Sequence, residues 1–258
     1  MEQNRQTYQS ESVVSYYQKY VVLQKPEETI LSLLKPRLKD MEMLDIGIGA
    51  GRTTAYFAPL VKKYAGIDYA PGMVEASRQK FENQFSNSLF LQADVRSLEP
   101  FKDNSFDFVL FSFNGLDYIN EKERAQALQQ INRVLRKGGF FCFSSHNLVS
   151  LLDLKAFEFR LNLIAAVKRF FEIRKIRKVN KRQLSMAAHA DYLVINDGAH
   201  DFSLETFYVR PSYQVKQLEQ CGFGNIQLYA HTTGKHISLP EANSSGKEKW
   251  LYYLCNKA

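Results

Sequence analysis

Leu44-Asp45-Ile46-Gly47-Ile48-Gly49-Ala50-Gly51-Arg52 decides the fold. An apolar run from Met43 leads into it and an amphipathic stretch, Arg52–Val61, follows it, so it reads as strand, loop and helix. Alternate glycines let the backbone turn sharply and let a ligand come close to the main chain. Amides at the start of the next helix can receive polar ligand atoms. Spacing separates the ligand classes. A Gly-x-Gly-x-x-Gly dinucleotide fingerprint needs glycine at 52, which is Arg52, and no Gly-Lys-Ser/Thr follows as in a phosphate loop. The pattern is Gly-x-Gly-x-Gly, with Asp45 two positions before the first glycine.

Outward from this loop, short apolar runs alternate with helical patterns. The runs are Met43–Ile46, Tyr64–Ile67, Leu89–Gln92, Phe106–Phe113 and Phe140–Ser145. Between them lie Arg52–Val61, Gly72–Phe85 and Glu121–Leu135, and Gly138-Gly139 is expected to end the last helix. This alternation predicts βαβ units on a parallel sheet, an α/β doubly wound fold. Before it, residues 1–40 read as a helical cap. Ser12 or Ser15 starts one helix through Tyr16, Tyr17 and Tyr20, and Pro26 opens a second with Ile30, Leu33 and Leu34 on one face, ending near Pro36. Residues 148–205 break the rhythm with a helical stretch from Leu151 to about Arg182, then Tyr192–Ile195 and Phe202–Val209 around Asp197-Gly198, a hairpin signal. Pro211 opens a helix that Gly222 ends, and strands near Asn225–Ala230 and Trp250–Cys255 flank a polar loop, Thr232–Lys249, expected to be mobile. The whole, 1–258, is one domain with a cap and an insert.

Composition narrows the class. With 45% hydrophobic and 24% charged residues over 258 positions, the chain is an ordinary globular one. No apolar run approaches the ~20 residues of a membrane span, and the polar start, Met1 to Glu11, lacks an apolar signal core. Cys142, Cys221 and Cys255 are too few and too scattered for a disulfide framework or zinc signature, and no histidine pair has metal spacing, so a reduced, cytoplasmic, metal-free protein is expected. The net charge of +7 is local: ten Lys/Arg and two Glu between Lys155 and Arg182 give +8, leaving −1 for the rest. That excludes a generally basic nucleic-acid coat. The basic stretch reads as a solvated helix face, an attractor of an anionic substrate, or a surface for nucleic acid or membrane, in that order.

Asp68 ends the second strand 23 residues after Asp45, where an acidic side chain can grip a ribose diol. Ala93-Asp94-Val95 ends the third strand and Phe111-Ser112-Phe113-Asn114 the fourth. Ligands of open α/β sheets bind beyond these carboxyl ends. On these residues the sequence resembles the class I S-adenosylmethionine-dependent methyltransferases, closely over 40–147 and in outline over 205–255. The resemblance implies a doubly wound, Rossmann-like, mostly parallel seven-stranded sheet with its last strand antiparallel, helices on both faces, and 148–205 inserted after the fifth strand over the acceptor. It implies S-adenosyl-L-methionine as cofactor. Asp45 would help place the methionyl amino group. Gly47, Gly49 and Gly51 would line methionine and ribose. Asp68 would hold the ribose hydroxyls, and Tyr69 or Met73 would pack on adenine. Asp94, with the Val95 amide beside it, would bind the adenine amino group, Asn114 would sit near the methyl donor, and Tyr20, with Tyr16 and Tyr17, would close over the cofactor.

The reaction expected is in-line transfer to O or N of a small-molecule acceptor, an anionic one included. An Asp/Asn-Pro-Pro-aromatic motif of amino-methylating DNA enzymes, a Pro-Cys nucleophile and a magnesium-binding carboxylate cluster are all absent from the sequence. His146 and Asn147, past the fifth strand, are the candidates for a base or acceptor-orienting group. His189, His200 and Tyr208 are candidates to line the acceptor, and His231 and His236 carry no assigned role. RNA methylation through the basic insert and a non-catalytic cofactor-binding scaffold are the alternatives.

Overall fold

The computed structural model describes residues 21–152 and 163–258. Ser12, Ser15, Tyr16, Tyr17 and Tyr20 lie outside the described residues. The first described helix, α1 (Lys25–Leu38), starts at Pro26 as the sequence predicts, with a capping box between Gln24 and Glu27. It runs through Pro36, and its buried face is Ile30, Leu34 and Leu38, while Leu33 points outward at 52% exposure. Ile30, Leu34 and Leu38 keep the i, i+4, i+8 spacing, and Leu33 falls off that stripe.

Ten strands follow among the described residues: β1 (Glu42–Ile46), β2 (Lys63–Asp68), β3 (Ser88–Gln92), β4 (Phe106–Phe111), β5 (Leu135–Asn147), β6 (Tyr192–Ile195), β7 (Thr206–Val209), β8 (Phe223–Ala230), β9 (His236–Ile237) and β10 (Trp250–Lys257). The helices between them are α2 (Pro71–Phe81), α3 (Glu121–Val134), α4 (Leu163–Val179), α5 (Lys181–Met186), α6 (Pro211–Gln220) and α7 (Leu239–Ser244). Shorter helical turns occupy Thr54–Leu60, Gly115–Tyr118, Val149–Leu152 and Ala199–Phe202. The sheet order is β3-β2-β1-β4-β5-β10-β8-β9. β1 to β5 are parallel, and β10 runs antiparallel to both β5 and β8. This is the seven-stranded, doubly wound arrangement expected, extended by β6, β7 and β9.

The sheet is covered on both faces, which is why its central strands read as unbroken apolar runs. Alternation assigns the faces. Leu44, Val109, Phe111, Phe141 and Phe143 pack with Ala127, Leu128 and Ile131 of α3. Met43, Phe108, Leu110 and Cys142 pack with Ile30, Leu34 and Leu38 of α1 and with Phe57 and Phe81.

Three sequence expectations change. Gly138-Gly139 does not end a helix: α3 stops at Val134, Leu135 already pairs with Phe106, and the glycines lie inside β5, where the register with β4 shifts before Phe140 meets Phe108. Gly138 takes the positive φ of 72° that such a bulge needs. β6 and β7 do pair antiparallel, but Asp197-Gly198 opens a ten-residue connection containing a helical turn and is not a two-residue hairpin turn. The stretch 232–249 is built, not bare, because it carries β9 and α7 with a Ser238 cap.

The insert joins the sheet. β7 runs parallel to the end of β5, pairing Tyr208 with His146 and Val209 with Asn147. On the other side Trp250 of β10 pairs with His146. The three cysteines are unpaired, with Cys142 and Cys255 buried and Cys221 partly so.

Candidate functional site

A cleft of about 890 Å³, counted to its open mouth, lies beyond the carboxyl ends of β1 to β4. Gly47, Gly49, Asp68, Tyr69, Met73, Asp94 and Val95 line it, together with Ile46, Ala93, Arg96, Phe111, Ser112, Phe113, Gly115, Tyr118 and Ile119. The glycine loop has φ of 67° at Gly47 and 55° at Gly49, the left-handed region that side chains resist. A Cβ on Gly47 would stand 3.0 Å from the Phe111 ring. The loop therefore keeps a bare backbone toward the cleft.

Asp68 binds the first two strand ends together. Its Oδ2 accepts from Gly49 N at 3.0 Å and its Oδ1 from Ala70 N at 2.9 Å. Burial pushes its carboxyl up to about 6, while these backbone amides pull it back. A carboxylate has about four lone-pair sites, so with these amides bound Asp68 still has capacity for a ligand hydroxyl. Asp45, in contrast, is buried behind the loop. Its Oδ2 accepts from Thr53 Oγ1 at 2.6 Å and from Tyr64 Oη at 2.7 Å. Burial raises it to about 7. It is not among the cleft residues, so any hold it has on a ligand is through the loop it braces. Gly51 is not among them either: a Cβ there would lie 2.3 Å from Cε2 of Phe81, so this glycine admits close packing of α2.

Asp94 is held by Arg96, which the sequence reading did not single out. Arg96 Nε and backbone N donate to Oδ1, both at 2.9 Å, and Nη2 to Oδ2 at 2.5 Å. Burial pushes the Asp94 carboxyl up, but Arg96 outweighs it, and the net direction is down. Asp94 is therefore a carboxylate at neutral pH, suited to a ligand N–H.

At the fourth strand end the chain kinks. β4 stops at Phe111 and not Phe113, and Phe113 and Asn114 have φ of 57° and 61°. The kink throws Phe113, Gly115, Tyr118 and Ile119 onto the cleft; the Asn-Gly turn signal at 114–115 is the sequence cue for it. Asn114 itself turns away from its neighbours' cleft. Its Nδ2 lies 3.3 Å from Nε2 of His146, and its buried Oδ1 has no hydrogen-bond partner.

His146 is built into a network. Its Nδ1 lies 2.8 Å from Oδ2 of Asp117, which also accepts from the His146 backbone N at 2.6 Å. Asp117 Oδ1 accepts from Arg124 Nη1 at 2.8 Å and from Ser145 Oγ at 2.5 Å. Arg124 and Asp117 are fully buried as an ion pair, and Arg124 also donates to Leu116 O, Ser145 Oγ and Gln214 Oε1. The Asn114 amide donates to Nε2, so Nδ1 carries the proton toward Asp117 and Nε2 holds the lone pair. The His146 ring sits 4.9 Å from that of Tyr208 and 6.0 Å from that of Trp250, the neighbours its sheet pairing dictates. Asp117, like Arg96, was not singled out from the sequence; a lone carboxylate after a strand gives no local signal.

Asn147 is used up structurally. Its Oδ1 accepts from Val149 N at 3.0 Å and its Nδ2 donates to Glu248 O at 3.2 Å. Tyr208 donates to Asp197 at 2.9 Å while packing on His146, and His189 is exposed. The side chain of His200 lies outside the described ones. His231 pairs with Glu248 at 3.2 Å and packs on Trp250. Among the described residues no group of three His, Cys, Asp or Glu could hold a metal ion, and no helix is long and apolar enough to cross a membrane.

Fold and cleft together define an α/β domain that receives a nucleoside-bearing cofactor at the strand switch point. A family model described as a methyltransferase domain matches residues 44–143. The uncharacterized methyltransferase YcgJ of Bacillus subtilis is 35% identical over 105 residues, 40% of either chain. The ubiquinone/menaquinone biosynthesis C-methyltransferase UbiE of Pasteurella multocida is 26% identical over 76% of this chain and 67% of its own. An S-adenosylmethionine-dependent methyltransferase of Mesorhizobium loti shares the fold, with a TM-score of 0.62 at 15% identity over 90% of this chain and 97% of that one. The chain is thus similar, in sequence over 44–143 and in fold over most of its length, to S-adenosylmethionine-dependent methyltransferases.

The residues present fit S-adenosylmethionine. The bare glycine backbone, the part-used carboxylate of Asp68, the apolar Met73, Val95 and Ile119, and the anionic Asp94 suit in turn a methionyl chain, a ribose diol, a purine face and its amino edge. One pH dependence follows. The charged form of Asp68 accepts hydroxyl hydrogen bonds, and it is lost as pH falls through about 6. S-adenosylhomocysteine affinity is therefore expected to be full at pH 7.5 and weaker at pH 5, and Asp68→Asn to remove that part of the change. Titration calorimetry at the two pH values checks it; an identical pH response in wild type and variant would contradict it.

Proposed function

We propose that this chain transfers a methyl group from S-adenosylmethionine to an oxygen or nitrogen of a small-molecule acceptor. The observation carrying this reading is His146, whose Nδ1 is fixed by Asp117 and which stands at the carboxyl end of β5, beside the β4 end where Phe111, Ser112 and Phe113 line the cofactor cleft. When bound, S-adenosylmethionine supplies an electrophilic methyl group on a sulfonium. What the protein must add is alignment, exclusion of water and a place for the acceptor's proton.

His146 takes that proton at Nε2, displacing the Asn114 amide hydrogen bond. Asp117 holds Nδ1–H and thereby the ring orientation. Arg124 pairs with the Asp117 carboxylate that holds the ring. Phe113 and Tyr118 wall the cleft against water. His146 is the base in this reading, and Asn147 is a brace of the insert. The cytoplasm suits the unpaired thiols.

The UbiE relative favours a second reading, transfer to a ring carbon of a quinone-class acceptor. There His146 would take a phenolic proton. The test is transfer of labelled methyl from S-adenosylmethionine to a panel of phenols, amines and hydroxyquinones, with the bond formed read by NMR. Wild type is expected to label an O–H or N–H acceptor. His146→Gln should lower kcat by about 10²–10⁴, the usual worth of a general base, with S-adenosylhomocysteine affinity unchanged. A C-methyl product supports the second reading. Cofactor binding with no turnover on any acceptor, RNA included, supports a scaffold.

A further inference from the structure

We propose that the helical arm from Phe170 to Met186 docks this chain on an anionic lipid bilayer. α4 and α5 expose Arg174, Lys175, Arg177, Lys178, Lys181 and Arg182, while Glu172 is the sole acid from 170 to 182. Interleaved with these cations are exposed apolar side chains: Phe170 at 42%, Phe171 at 64%, Val179 at 52% and Met186 at 47%. A solvated helix face gains nothing from two adjacent phenylalanines in water, whereas a bilayer interface takes apolar bulk and cations together. The charge is concentrated on the arm, because residues 170–186 carry six Lys/Arg against one Glu, +5 of the chain's +7.

The ring geometry favours lipid over nucleic acid. Bases stack on flat, open aromatic platforms. The Phe170 and Phe171 rings stand edge to face at 78° and 5.7 Å, and the Arg174 guanidinium lies 5.6 Å over Phe170. That leaves no platform, but it does not hinder shallow insertion between headgroups. The cations are spread around the helix, so attachment is driven by charge, with the phenylalanine pair as the anchor.

The arm is also tied to the site. Asn180, at the junction of α4 and α5, exchanges hydrogen bonds with the Asn196 backbone at 2.8 and 2.9 Å. Asn196 follows β6, β6 pairs with β7, and β7 pairs with β5 at His146. Docking would thus couple the acceptor side of the sheet to a lipid surface, which suits an acceptor with an apolar tail. The docking itself stands apart from the methyl-transfer reading, since it needs no turnover to measure.

The test is co-sedimentation of the full chain with vesicles of phosphatidylcholine alone and of phosphatidylcholine with phosphatidylglycerol. Binding is expected to the anionic vesicles only. It should weaken as ionic strength rises from about 0.01 M to about 0.15 M, where the Debye length shrinks from ~30 to ~8 Å. The double variant Phe170→Ser, Phe171→Ser should bind several-fold less at low ionic strength, and Arg174→Glu, Lys178→Glu less still. Unchanged S-adenosylhomocysteine titrations certify that both variants are folded. Equal binding to neutral vesicles, no binding to anionic ones, or a Phe170/Phe171 variant that binds like wild type would overturn the proposal. So would tight binding of an unstructured RNA oligomer without vesicle sedimentation.

Discussion

Gly49→Val is expected to abolish binding of S-adenosylmethionine while leaving the sheet folded. Gly49 sits at φ 55° and lines the cleft, and its N–H is the donor that fixes Asp68. A β-branched residue is a genuine outlier at that φ, so the loop must shift. Its shift withdraws the Asp68 carboxylate, and the new methyl groups enter the ligand's space. Overpacking alone costs ~1–3 kcal/mol. Adding the lost hydrogen bond to a charged group, ~1.5–3 kcal/mol, brings the loss of affinity to roughly 100-fold or more, at about 1.4 kcal/mol per tenfold. Calorimetric titration with S-adenosylhomocysteine should show no heat above dilution, while thermal unfolding remains one cooperative transition. Wild-type affinity in this variant would refute the placement of the cofactor.

Arg124→Met is expected to have the largest effect on stability of any single substitution in the His146 network. Arg124 and Asp117 are both fully buried, and the guanidinium is also stacked 4.7 Å over the Phe207 ring. Methionine leaves the Asp117 charge without its partner, which costs about 3–5 kcal/mol. That is a large part of the ~5–15 kcal/mol a domain has. Adding Asp117→Asn should recover part of the loss, read as the denaturant midpoint at unchanged slope. Equal midpoints for the single and double variants would assign the cost to lost packing and not to charge.

The alternation of strands and helices made the parallel half of the sheet legible before any coordinates, because its strands are buried on both faces and bounded by glycine or by carboxylates. The glycine loop, Asp68 and Asp94 stood out because they lie at or just past the carboxyl ends of three successive strands, β1, β2 and β3, at spacings that two βαβ units fix. What was not legible depends on contacts made across the fold. Asp117 acquires meaning only when Arg124, Ser145 and His146 converge on it from α3 and β5. Asp45 looked like a ligand residue until Thr53 and Tyr64 claimed its Oδ2 behind the loop. Asn147 looked free to face an acceptor, but the chain uses it to start the insert. Gly138-Gly139 had the composition of a helix stop, yet Leu135 was already paired with Phe106, so the same flexibility served a bulge.

The way the insert leaves and rejoins the sheet gives it the character of a cassette. Asn147 and Val209 are partners in one strand ladder, and Leu148 N donates to Val209 O at 3.0 Å, so the two ends of a sixty-residue excursion meet side by side. Everything between them can lengthen, shrink or be exchanged while β5 and α6 keep their places. A change of length in that segment is thereby kept apart from the glycine loop and the first four strand ends that form the cleft.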